Sequence, residues 1–317
     1  MRNNIKKIIL IFLLIAGFYT FFYINRYKIS SPMEDYEYKK NIIKSSWNLN
    51  YKLENLRPLV GPEELAKFIK ENNNNPEIYT PNEKNIKNGI YRANLHMHTT
   101  NSDGKAKVAY LMNQAETYAK ENLNNKPMYI AITDHNTVLG TKEIIEVLQK
   151  NPNKYNNIKV IAGIEIFTGY KTKFSEKPIE IHVLTWCINP YDKFLNKEFY
   201  KKDLKDKWNR TRPDRDFNKV INTMSDYGIV GIAHPARYLD KITNKEDYIK
   251  ELLNTYRKES KNKVLFLEGY YQTYPLIIKN YDNKFKAFLS FINSEASKNK
   301  IYRTGSTDVH GYSIFKK

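Results

Sequence analysis

From about residue 89 onward, apolar residues recur with two periods that take turns along the chain. Short runs rich in Ile, Val, Leu and Tyr alternate apolar with polar or stay apolar throughout, which predicts half-buried or fully buried strands. They are IYRANLHMH (90–98), PMYIAITDH (127–135), KVIAGIEIF (159–167), PIEIHVLTW (178–186), IVGIAHP (229–235), VLFLEGYY (264–271) and IYRTGSTDVH (301–310). Between most of them the apolar positions return every three to four residues, which predicts helices. These are KVAYLMNQAETYAKENL (107–123), TKEIIEVLQK (141–150), DFNKVINTMSDYG (216–228), YIKELLNTYRKE (248–259) and NKFKAFLSFINSEA (283–296). In the first, Val108, Leu111, Met112, Ala115 and Ala119 share one face. Gly228 is the expected stop of the third.

Seven strands mostly separated by helices imply an α/β fold with a mainly parallel sheet. Six of the strands end in a polar residue suited to a site, so a closed or nearly closed barrel fits best, with the site at the C-terminal strand ends. An open doubly wound sheet is the runner-up, but it gathers its site at one switch point. Residues 89–317 thus form the expected catalytic body and 29–88 a stalk or lead-in. The lead-in contains one short helix in GPEELAKFIKENN (61–73), with Pro62 at its first position, followed by an Asn-rich loop.

Residues 1–28 follow a different pattern. Arg2, Lys6 and Lys7 precede an uncharged stretch, residues 8–25, and Arg26 and Lys28 follow it. Its length just spans a bilayer as a helix, and Tyr19, Tyr23 and Tyr27 suit the interfacial zone. The expectation is an N-terminal transmembrane anchor with the body outside the cytoplasm. The alternative is a cleaved signal peptide and a secreted body.

Composition narrows the classes. Hydrophobic residues make up 41% of the chain, which excludes a disordered protein. The single cysteine, Cys187, excludes an internal disulfide framework. The net charge of +18 favours anionic partners: phosphorylated small molecules, nucleic acid or an anionic membrane surface.

The candidate chemistry sits where the strands end. All six histidines of the chain, His96, His98, His135, His182, His234 and His310, lie in strand-end segments, with Asp103, Glu165 and Asp308 beside or between them. His96 and His98 stand two apart on one strand, so both side chains point to the same face; Asp308 and His310 repeat this on the last strand. In a closed barrel those strands are neighbours. Glu165 lies in an apolar strand, where an unpaired carboxylate is costly to bury and a metal offsets that cost. The reading is a multinuclear metal site performing hydrolysis. Mixed imidazole and carboxylate ligands suit Zn, Mn or Fe(II). Arg237 and Lys105 are candidate phosphate contacts. Asp134 is expected to orient a ligand rather than bind metal, and Glu268 to support the site from behind.

Taken in order, HMHTTNSDG, TDHN, GIE, IHVL, AHPARY and STDVHG resemble the polymerase and histidinol phosphatase (PHP) family of metal-dependent phosphoesterases, over residues from about 90 to 311. The resemblance implies a distorted seven-stranded β/α barrel holding two or three divalent ions. It also implies three ligand groups: His96, His98, Glu165 and Asp308 for the first ion; Asp103, His135 and His310 for the second; His182 and His234 with a bridging Glu165 for the third. A hydroxide bridging two ions would attack phosphorus. Phosphomonoesters, nucleotides and oligonucleotides are all admissible substrates, and no obligate protein partner is implied. Two other classes stay open: metal-dependent hydrolysis of a carbon–nitrogen or carboxylic ester bond, and a non-catalytic metal- or nucleic-acid-binding module. The complete ligand set argues against the last.

Overall fold

The structure, a computed structural model, describes residues 56, 58–199, 215–239, 242–272, 274–277 and 282–315. All belong to the compact unit Asn48–Lys317. The expected membrane segment, residues 1–28, lies outside the described residues. Among the described residues no helix is long and apolar enough to cross a membrane.

Seven strands form one sheet in sequential order. They are β1 (Ala93–Met97), β2 (Met128–Ile132), β3 (Ile158–Tyr170), β4 (Ile179–Trp186), β5 (Ile229–Ala233), β6 (Leu265–Tyr271) and β7 (Ile301–Ser306). The sheet curls so that its edges meet: Met97 and Val309 form a parallel bridge, and the His98 N–H donates to the Val309 carbonyl at 2.9 Å. The result is an α/β fold with a curled seven-stranded sheet, joined at its edges beside the site.

The helices are α1 (Pro62–Asn72), α2 (Glu83–Lys87), α3 (Val108–Asn122), α4 (Leu139–Lys150), α5 (Lys193–Phe199), α6 (Phe217–Met224), α7 (Lys245–Glu259), α8 (Tyr274–Ile277) and α9 (Asn283–Lys298). Side-chain caps start α2, where Asn82 accepts from the Asn85 N–H, and also α6, α7 and α9. Asp216 accepts from the Lys219 N–H, Asn244 from Asp247 and Asp282 from Phe285. The short α2, α5 and α8, and a 3-10 turn at Pro76–Tyr79, fall where the periodicity shows only loop. One turn of helix is too short for an apolar repeat to declare itself.

Strand direction departs from the expected pattern at one place. β4 is antiparallel to both β3 and β5, while every other pair is parallel. Residues 171–178 connect β3 to β4, too few for a parallel crossover, so the chain turns straight back. His182 therefore lies in the first half of β4, opposite Phe167 and Ala233, and not at a C-terminal strand end. Glu165 likewise sits inside β3, which runs on to Tyr170.

The lead-in is part of the packing. Leu65, Phe68 and Ile69 of α1 and Tyr79 join Leu95, Ala131, Ile161, Leu184, Trp186 and Phe266 from five strands in one buried cluster. Helices α3 and α4 cover β1–β3, and α6, α7 and α9 cover the rest. This apolar layer closes one end of the curled sheet and leaves the other end for polar side chains.

Two bulges set the boundary between the layers. The β1–β2 register slips by one residue between Asn94 and Met97, and the β6–β7 register between Glu268 and Tyr270. In an unbroken strand neighbours point to opposite faces. The β1 slip lets Leu95 join the interior apolar cluster while His96, the next residue, also turns inward to meet Glu165.

Candidate metal centre

Glu165 is the hub. Its carboxylate is fully buried. Oε2 lies 3.0 Å from His96 Nε2, 3.2 Å from His98 Nε2 and 2.7 Å from His135 Nδ1. Oε1 lies 2.7 Å from His182 Nδ1 and 3.1 Å from His234 Nε2. Five histidines from four strands or the turns after them thus face one carboxylate. Asp308 Oδ1 adds a second acid, 3.0 Å from His98 Nε2 and 3.5 Å from His96 Nε2. Asp103 Oδ1 is the third, 3.1 Å from His310 Nε2, 3.6 Å from His135 Nε2 and 3.9 Å from His98 Nδ1. All nine residues expected from the sequence come together.

The arrangement fits cations better than it fits itself. His98 Nδ1, His135 Nδ1, His234 Nδ1, Asp103 Oδ1 and Glu165 Oε2 are buried yet make no hydrogen bond, despite near neighbours. Apart from His234 Nδ1, whose ring meets Glu165 through Nε2, these atoms face one another without meeting along N–H···O lines, and buried polar atoms without partners are costly. His96 Nε2 also stands 3.0 Å from His98 Nε2, a close approach of two ring nitrogens that a shared cation would relieve. Three sets of ligand atoms are tight enough to hold an ion: His98, Asp103, His135 and His310; His96, His98 and Glu165; and His135, Glu165 and His182. The ligand groups implied by the resemblance overlap these sets in part: His98 and His135 each belong to two sets, while Asp308 and His234 fall outside all three.

Charges in this cluster pull one another apart. Burial disfavours the Glu165 carboxylate, but the surrounding His96, His135 and His182 outweigh it and hold its pKa well below the ordinary value. Asp308 is held down in the same way by His96 and His98 against its burial. His98 goes the other way: burial opposes its charge, yet the adjacent Asp308 and Glu165 carboxylates raise it to about 9. His135 and His234, where burial wins, fall to about 4.

Supporting residues hold the ligands in place. Glu268 Oε1 is 3.0 Å from His96 Nδ1, and Oε2 accepts from the His234 backbone N–H at 2.8 Å. Ser306 donates to the same Oε1. Asp134 faces the loop after β1: it accepts from the Thr99 N–H and Oγ1, both at 2.7 Å, and from Ser102 Oγ at 2.6 Å. That loop carries Asp103. Glu268 thus touches His96 and His234, while the Asp134 carboxylate touches the loop that bears Asp103 and neither His135 nor another candidate ligand. Two ligands take left-handed backbone angles rare for non-glycine residues, His234 (φ 26°) and Asp308 (φ 48°).

Of the candidate anion contacts, Arg237 reaches the cluster. Its Nη1 is 3.7 Å from Asp308 Oδ2, its guanidinium lies over Tyr238, and its side chain is 25% exposed. Lys105 is exposed beside the loop, with its backbone N–H on the His310 carbonyl. Sequence reasoning passed over Glu180, Tyr238 and Tyr271. Glu180 Oε1 stands 2.7 Å from His182 Nε2, and Tyr238 Oη is 3.4 Å from the same nitrogen. The alternation in IEIH places Glu180 and His182 on one face, the signal that was available.

A solved structure similar in fold is an amidohydrolase from Chromobacterium violaceum with bound sulfate and no metal; it shares 15% identity, with a TM-score of 0.45, and the match covers 69% of this chain and 88% of that one. None of the curated proteins matches. The PHP domain model matches residues 94–272, a span that holds His96, His98, Asp103, His135, Glu165, His182 and His234, while Asp308 and His310 come later, just after β7. The chain belongs to the PHP domain family.

Proposed function

We propose that this protein is a metal-dependent hydrolase acting on a phosphate ester, in a phosphomonoester, a nucleotide or an oligonucleotide. The observation that carries the reading is the buried Glu165 carboxylate set among five histidine rings: His182 and His234 meet its Oε1 in hydrogen bonds, while its Oε2, within 3.2 Å of nitrogens of His96, His98 and His135, makes none.

In this reading His96, His98, Glu165 and Asp308 hold one ion. Asp103, His135 and His310 hold a second with help from His98, and His182 and His234 hold a third on Glu165 Oε1. Zn, Mn and Fe(II) all suit such ligands. Divalent ions bound there supply the Lewis acidity that activates water and draws charge off the scissile group. The chain's own residues do the rest. Glu165, common to the first and third groups, would serve more than one ion. Glu268 fixes the ring of His96, and Asp134 fixes the loop bearing Asp103. Arg237, partly exposed at the edge of the cluster, suits a bidentate grip on a phosphoryl group; Lys105 offers a weaker point charge. The net charge of +18 supports an anionic substrate over a neutral amide. In the same reading residues 8–25 tether the enzyme to a membrane, with secretion after cleavage as the alternative.

The test is phosphate release by the full-length protein from monoesters, diesters and short oligonucleotides, supplied with Mn, Zn or Fe(II), with His98→Ala as the control. Metal-dependent turnover that the variant lacks is the expected result. A folded, metal-loaded protein that leaves every phosphoester intact and cleaves an amide or carboxylic ester would move the assignment to that bond.

A further inference from the structure

Asp308 uses its two oxygens differently. Oδ1 faces the histidines, 3.0 Å from His98 Nε2. Oδ2 turns away and accepts a 2.5 Å hydrogen bond from the hydroxyl of Tyr271, a residue only 5% exposed. The bulge in β6 makes this possible. Glu268 pairs with Thr304, but after the slip Tyr270 pairs with Gly305 and Tyr271 with Ser306. Gly269 is the extra residue; a Cβ there would stand 2.5 Å from Asn293 Oδ1 and 2.9 Å from Arg303 Cγ. Without the slip, Tyr270 would share the inward face with Glu268 and Tyr271 would point out. With it, Tyr270 turns away to donate to the Asn73 carbonyl at 3.0 Å, and Tyr271 reaches Asp308.

We infer that Tyr271 is a positioning residue for the metal centre, aimed inward by the Gly269 bulge, and that its hydroxyl occupies Asp308 Oδ2 so that Asp308 offers a single oxygen to a metal ion. The inference rests on the metal-binding reading above. Tyr271 also packs against His234, with ring centroids 5.2 Å apart, and against Tyr274, at 4.7 Å. The Tyr274 hydroxyl in turn accepts from the Ala236 N–H. The hydroxyl of Tyr271 is therefore set by the same turn that sets His234.

The experiment titrates full-length wild type, Tyr271→Phe and Tyr270→Phe with Mn²⁺ by calorimetry and records the visible absorption of each with Co²⁺. Tyr271→Phe is expected to weaken Mn²⁺ binding by about ten- to a hundredfold, the usual effect of losing a hydrogen bond to a ligand. It should also change the Co²⁺ spectrum as Asp308 becomes free to chelate. Tyr270→Phe is expected to leave both unchanged. Circular dichroism of the metal-free proteins confirms the fold, and Tyr271→Met replaces the Phe variant if that one is not native. Wild type that binds no Mn²⁺ would sink the metal reading itself. Wild type that binds, with Tyr271→Phe matching it in affinity and Co²⁺ spectrum, would overturn this inference alone. Equal losses in both Tyr variants would overturn it too, by showing a general effect on β6.

Discussion

Replacing Glu165 by Gln while stripping the metal puts a number on the central claim. Glu165 touches five histidines through both of its oxygens, so it serves more than one ion position. An ion held at about a hundred times its dissociation constant stabilises the folded chain by about 2.7 kcal/mol. In a body of this size each kcal/mol moves the melting temperature by about 2–4 °C. Two ions are then worth roughly 10–20 °C. The assay is thermal unfolding by circular dichroism, with and without chelator and excess Mn²⁺, beside metal content by mass spectrometry. Wild type should lose that interval on chelation and regain it on reloading. Glu165→Gln should show little metal-induced shift, because the amide carries no charge to draw ions together. The reasoning is refuted if wild type melts at the same temperature with and without metal, or if Glu165→Gln keeps the full shift.

Other consequences follow from the same geometry. In the metal-free protein the pKa values of His96, His98 and His182 are raised by neighbouring acids that overcome burial. Their stabilisation is complete below the unfolded-state value of about 6.5 and is lost as pH rises through the folded one, about 9 for His98. Chelated protein should therefore weaken from pH 6.5 to 9 in urea titrations, and metal binding at pH 7 should release protons, measured by calorimetry in buffers of different ionisation enthalpy. No proton release would contradict the assignment of those histidines as ligands. Gly140→Ala would place a Cβ 1.9 Å from Asp134 Oδ2; a loss of about 1–3 kcal/mol is expected in urea unfolding, with weaker metal binding because the loop bearing Asp103 loosens. Arg237→Ala should raise KM for a phosphoester at unchanged metal content, by more than Lys105→Ala does. Equal KM values in steady-state kinetics would remove Arg237 from substrate binding.

By itself the sequence determined the seven strands, the five long helices and the nine clustered site residues. Each is a local property. Periodicity names an element because burial repeats with its geometry, and His, Asp and Glu at strand ends announce themselves against apolar neighbours. The tertiary structure alone decided three things. It reversed β4, because the connection after β3 is too short for a crossover, and this put His182 early in its strand. It folded the lead-in helix α1 into the apolar layer, since Leu65, Phe68 and Ile69 find their partners on strands far along the chain. And it placed the bulges in β1 and β6, which turn His96 and Tyr271 inward. A bulge is a mismatch between two strands, and no single strand's sequence contains its partner's register.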